Sequence, residues 1–143
     1  MDSFAIYHNL TIQSKPQKVF DGISRPEHLN NWWTKKCSGT PKLGEVYNFF
    51  FTEDYDWYGK VTQCETNKRF YISMTESDAD WNSTTFGFEL EPLNGGTLLS
   101  FSHKGWPKCN AHFKKSSFCW AILLSGLKNY LEKGIIVPFE KRE

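Results

Sequence analysis

Alternation of apolar and polar positions dominates most of the chain. Phe4, Ile6, His8, Leu10 and Ile12 alternate with Ala5, Tyr7, Asn9 and Thr11, the period-two pattern of a strand with one buried face. Ser14-Lys15-Pro16 then reads as a helix start, with Ser14 as the cap and Val19, Phe20 and Ile23 on one helical face. Ser24-Arg25-Pro26 breaks that helix and opens a second short one carrying Leu29, Trp32 and Trp33. Gly39, Pro41 and Gly44 mark a loop. Strand alternation returns in Tyr47, Phe49 and Phe51, in Trp57, Gly59 and Val61, and in Phe70, Ile72 and Met74. It continues in Phe86, Phe88 and Leu90 and ends with Leu99, Phe101 and His103. Turns separate these runs: the acidic stretch 53–56, Asn67-Lys68, a second acidic stretch at 76–80, and Asn94-Gly95-Gly96, where positive φ costs glycine almost nothing.

From about Asn110 the period changes. Phe113, Trp120, Leu123, Leu124, Leu127, Tyr130 and Leu131 form a helical stripe, and Gly134 supplies the stop. A helix of ~24 residues is ~36 Å long, enough to cross the face of a sheet. The expected architecture is one domain over residues 1–143 of class α+β. Six curved antiparallel strands wrap a long C-terminal helix, with two short helices between the first two strands. Where a twisted sheet and its helix diverge, inward side chains line a cavity.

Several local patterns occur in a telling order. They are Val19-Phe20 before Arg25-Pro26-Glu27-His28-Leu29, the pair Trp32-Trp33, and Gly59-Lys60-Val61. Gly95-Gly96-Thr97-Leu98-Leu99 and His103-Lys104-Gly105-Trp106 follow, then Trp120, Leu124, Leu127-Lys128, Tyr130-Leu131-Glu132 and Gly134. Together they resemble the START/polyketide-cyclase (SRPBCC) superfamily, and within it the branch named after the activator of heat-shock protein 90 ATPase. The resemblance implies a helix-grip fold and, as an alternative to ligand binding, a module that meets a chaperone or another protein. The acidic turn at 53–56 and the polar segment 78–83 depart from the family's pattern.

Composition sharpens this picture in one respect. Aromatic residues make up 17% of the 143, with twelve Phe, six Trp and six Tyr, and rings on that scale fill a core, line a cavity or form an interface. A formal charge of +1 removes the electrostatic argument for nucleic acid or an anionic membrane as partner. The apolar run at 118–124 is too short to span a bilayer. Met1-Asp2-Ser3-Phe4-Ala5 has no export-signal pattern. Cys37, Cys64, Cys109 and Cys119 include no C-x-x-C pair, so reduced thiols and a cytoplasmic location are expected.

The candidate site follows from the inward faces. Tyr47, Phe49, Phe51, Trp57, Phe70, Phe86, Phe88, Phe101 and Trp120 are expected between sheet and helix, with Leu124 beside them and Trp32 and Trp33 at one end. They would bind a small hydrophobic or aromatic molecule, with His103 and Tyr47 orienting a polar group. His103 is also the only candidate general base, and no paired carboxylates accompany it, so a cyclase or dehydratase ranks behind binding. Cys109-x-x-His112 lacks the further ligands a zinc site needs, and no phosphate-cradling or serine-nucleophile motif occurs. No metal and no cofactor is expected. Lys104, Lys108, Lys114 and Lys115 read as a solvated basic face.

Overall fold

The computed structural model describes residues 3–142; Met1 and Asp2, part of the opening stretch read for an export signal, and Glu143 lie outside the described residues. The alternating segments become strands β1 (Phe4–Ile12), β2 (Lys36–Ser38), β3 (Val46–Thr52), β4 (Tyr55–Glu65), β5 (Arg69–Glu76), β6 (Thr85–Leu93) and β7 (Gly96–Trp106). They form one antiparallel sheet in the order β1-β7-β6-β5-β4-β3-β2. This is one strand more than the six expected. β2 has three residues, of which only Cys37 is buried, opposite Phe49, so no alternation could announce it. Asn94 and Gly95 have φ of 48° and 82°, the left-handed pair that a two-residue hairpin turn requires between β6 and β7.

Two short helices, α1 (Pro16–Ser24) and α2 (Pro26–Leu29), occupy the connection between β1 and β2. Pro16 stands in the first turn of α1, but Ser14 is not its cap. Instead Ser14 Oγ and Lys18 Nζ donate to the Leu131 carbonyl, at 3.3 and 2.8 Å, and tie the start of α1 to the end of the long helix. α2 stops at Leu29, so Trp32 and Trp33 lie in the turns that follow it rather than on a helix.

The long helix α3 (Ala111–Lys133) is capped at its start by Asn110, whose side chain accepts from Phe113 N, and ends in left-handed Gly134. It buries Trp120, Leu124, Leu127 and Leu131 against the concave face of the sheet. α1 lies beside it, with Gly22 so close that an added Cβ would come within 3.0 Å of Leu131. Among the described residues no helix is long and apolar enough to cross a membrane.

Candidate ligand cleft

The interior is not uniformly filled. Near the tip of the β3–β4 hairpin, sheet and α3 part and leave a cleft of about 580 Å3, within the size range of small-molecule sites. Trp33, Phe51, Trp57, Trp81 and Trp120 supply aromatic walls, and Thr52 and Tyr55 stand at the hairpin tip. The first half of α3 contributes His112, Lys115, Ser116, Cys119 and Leu123, and the segment after α3 contributes Phe139, Glu140 and Arg142.

Each wall is held by local bonds. Trp33 is fixed by its N–H to the Leu29 carbonyl at 2.9 Å, and its ring centroid lies 5.1 Å from Phe49 and 5.1 Å from Trp120. Trp81 sits in the polar loop between β5 and β6, turned inward by Asp78, whose Oδ1 accepts from the N–H of Asp80 at 3.0 Å and of Trp81 at 2.8 Å. Such a side-chain-to-backbone turn is a common use of Asp. Asn82 Oδ1 accepts from Ser77 N at 2.7 Å and secures the other side of the loop.

His103 joins the two central tryptophans from behind. Trp120 Nε1–H donates to His103 Nδ1 at 3.1 Å, which makes Nδ1 an acceptor and leaves the ring proton on Nε2. Nε2–H then donates to Thr84 Oγ1 at 2.8 Å, and the Thr84 hydroxyl donates to the Trp81 carbonyl at 2.5 Å. The imidazole is fully buried, and desolvation first, with the nearby His112 second, pushes its pKa down to about 3. A ring that is neutral, inaccessible and hydrogen-bonded at both nitrogens supports the walls. It neither faces the cleft nor has a free nitrogen to serve as base.

Of the residues expected to line the cavity, the structure brings Trp33, Phe51, Trp57 and Trp120 together at the cleft. Trp32, Tyr47, Phe49, Phe70, Phe86, Phe88, Phe101 and Leu124 are buried in the packed interior instead. There the rings fill the space between sheet, α1 and α3. Trp32 Nε1–H donates to the Gly22 carbonyl, and the Tyr47 hydroxyl donates to the Ser24 carbonyl at 2.6 Å. Burial drives the Tyr47 phenol well above its ordinary pKa. Both polar tips are thus spent on the fold.

Sequence patterning missed Trp81, the α3 residues other than Trp120, and the whole contribution of the segment after α3. Trp106, also missed, is fully buried beside Trp81 and His103. The indole N–H groups of Trp81 and Trp106 are buried without a partner, an arrangement that costs about 1–3 kcal/mol each. At the rim, His112 Nδ1 donates to Asp80 Oδ2 at 2.8 Å. That bond, with help from Asn110, holds the Asp80 carboxyl below its usual value. Cys109 is exposed, and among the described residues no group of His, Cys, Asp and Glu could hold a metal ion.

The known proteins fit this geometry. The model of the family described as activator of Hsp90 ATPase homolog 1-like protein matches residues 13–132. The Aha1 dimer of Colwellia psychrerythraea, a solution structure, is 27% identical with a TM-score of 0.84, over 92% of this chain and 98% of that one. A protein of Mesorhizobium loti shares the fold at 18% identity and a TM-score of 0.82, over 93% of this chain and 100% of its own. One from Staphylococcus saprophyticus does so at 18% and 0.79, over 94% and 96%. No curated protein matches the chain significantly. On a match that runs from the approach to α1 to the last turn of α3, this chain belongs to the activator of Hsp90 ATPase homolog 1-like family.

Proposed function

We propose that the protein binds a small, largely apolar molecule in the cleft between the β3–β4 hairpin, the Trp81 loop and α3. The observation that carries this reading is the open volume of about 580 Å3 walled by Trp33, Phe51, Trp57, Trp81, Trp120 and Phe139, at one end of an aromatic interior that is closely packed elsewhere. Flat apolar rings facing a partly enclosed space gain area and dispersion contacts when a planar molecule displaces water. Folds of this family commonly bind hydrophobic ligands, which is in keeping with the site.

The test is titration with N-phenyl-1-naphthylamine, a neutral probe whose emission rises in apolar surroundings. A probe of this size gains about 6 kcal/mol at ordinary ligand efficiency, so a dissociation constant of tens of micromolar is expected. Leu123→Trp, which places an indole on the α3 wall, should weaken binding at least ten-fold while the far-ultraviolet circular dichroism is unchanged. Absence of saturable binding to the parent protein, or equal binding by this variant, would overturn the reading.

A further inference from the structure

Arg142 is unlike the other charges at the cleft. Its side chain is buried, whereas Lys115 and Glu140 on the same lining are exposed. Its bonds all go to backbone carbonyls: Nε to Val137 O at 2.8 Å, one terminal nitrogen to Thr34 O at 3.1 Å, and the other to Asn30 O at 2.9 Å. Among the described residues it forms no ion pair with a carboxylate. Burial accordingly lowers its affinity for the proton, and Glu140 offsets this only through space. Taken out of water against carbonyl dipoles and the face of the Phe139 ring, whose centroid lies 5.8 Å from the guanidinium carbon, the cation has no paired carboxylate among the described residues.

The other groups at the rim do not supply it. Asp80 already accepts from His112 and Asn110, and Asp78 holds the backbone of the Trp81 loop. Lys115 has no carboxylate partner either among the described residues. A guanidinium carries five donors, of which the carbonyls take three, so among the described residues each terminal nitrogen keeps one N–H. A planar carboxylate has two oxygens to meet such a fork.

We propose that the ligand of the aromatic cleft is an anion: a planar apolar body bearing a carboxylate that pairs with Arg142. This rests on the reading of the cleft as a ligand site and adds the charge of its occupant. The guanidinium belongs to the segment after α3 and shares the cleft lining with Phe51 and Trp57 of the β3–β4 hairpin. Residue 142 lies beyond the span matched by the family model, which ends at 132.

Three probes of nearly equal shape test it: 2-naphthoate, 2-naphthamide and 2-naphthylmethylammonium, titrated calorimetrically at pH 7 and low ionic strength. Naphthoate should bind at least ten-fold tighter than the amide, with the ammonium weakest. Arg142→Gln keeps an amide donor for the carbonyls but removes the charge. It should bring naphthoate to within about threefold of the amide, and Lys60→Gln, at an exposed position outside the cleft lining, should preserve the preference. If Arg142→Gln does not fold, the Arg142 Nε resonance of the parent protein decides, since it should shift with naphthoate and not with the amide. Equal binding of all three, or a preference for the ammonium, would overturn the charge assignment and leave the cleft reading intact. Binding by none of the three would overturn both. A preference that survives Arg142→Gln, or a resonance that does not move, would overturn the role of Arg142.

Discussion

At the end of the interior covered by α1 and α2, Tyr47, Phe49, Phe70 and Phe88 are enclosed on every side. At the other end, Trp33, Phe51, Trp57, Trp81 and Trp120 turn part of their surface to an open cleft. The residue types are nearly the same, and β3 runs from one end to the other, carrying Tyr47 and Phe49 in the packed end and Phe51 at the cleft. What differs is the cover. α1 lies flush against α3 because Gly22 admits Leu131, and Val19, Phe20 and Ile23 fill the gap over the sheet. The cleft end is covered only by a polar loop and by the segment after α3, neither of which brings an apolar face wide enough to close it. Aromatic content therefore marks where a core or a pocket is built, and the neighbouring connection decides which.

The largest expected effect separates the two ends by stability. Phe70 meets Phe20 and Tyr47 edge-on at 6.3 and 5.6 Å, and Phe70→Ala should cost about 3–5 kcal/mol in urea denaturation. Phe51→Ala, at the half-buried cleft wall, should cost about 1 kcal/mol and show itself in weaker probe binding instead. Equal losses from both would mean that the ends are packed alike.

An intermediate effect concerns the support behind the cleft. In the unfolded chain His103 takes up a proton near its ordinary pKa of 6.5, while the folded protein resists until about pH 3. The unfolded state therefore binds more protons between these values. The stabilisation is complete above about pH 6.5 and is lost as pH falls through the window, at about 1.4 kcal/mol per unit. His103→Gln can still accept from Trp120 and donate to Thr84 without titrating. The difference between the urea midpoints of parent and variant should shrink from pH 7 to 4.5, and parallel curves would show that the imidazole is not buried neutral.

The smallest effect is a gain. Gly126 lies inside α3, and a Cβ there would meet nothing within 4 Å, so Gly126→Ala should raise stability by about 0.5–1 kcal/mol without altering probe affinity. A loss of stability would show that the outer side of α3 is more crowded than described.

The fold was legible wherever one buried face persisted for several residues. Phe86, Phe88 and Leu90 alternate without interruption, and the α3 stripe is framed by Asn110 and Gly134, whose side chain and φ close the helix at its two ends. The cleft was legible only in part, because most of its missing members lie where periodicity fails. Trp81 is surrounded in sequence by Asp80 and Asn82 and faces inward through a turn that Asp78 makes, which no spacing rule reports. Trp106 has the parity of the outward residues of β7. The irregularity at Gly105, with φ of 90° and Phe4 paired to Trp106 but Ala5 to Lys104, shifts the phase and buries it. His103 was rightly placed on the inner face, yet alternation cannot say that Trp120 and Thr84 would occupy both of its nitrogens.

The indoles at the cleft stand in an unbroken chain: Trp57 to Trp81 at 4.9 Å between centroids, Trp81 to Trp120 at 5.9 Å, and Trp120 to Trp33 at 5.1 Å. Chromophores this near to one another share their excited states, so light absorbed by one is felt by all four. The near-ultraviolet spectrum of the native protein is thereby a collective property of the cleft, and a guest that shifts a single ring would alter the signal of the whole array.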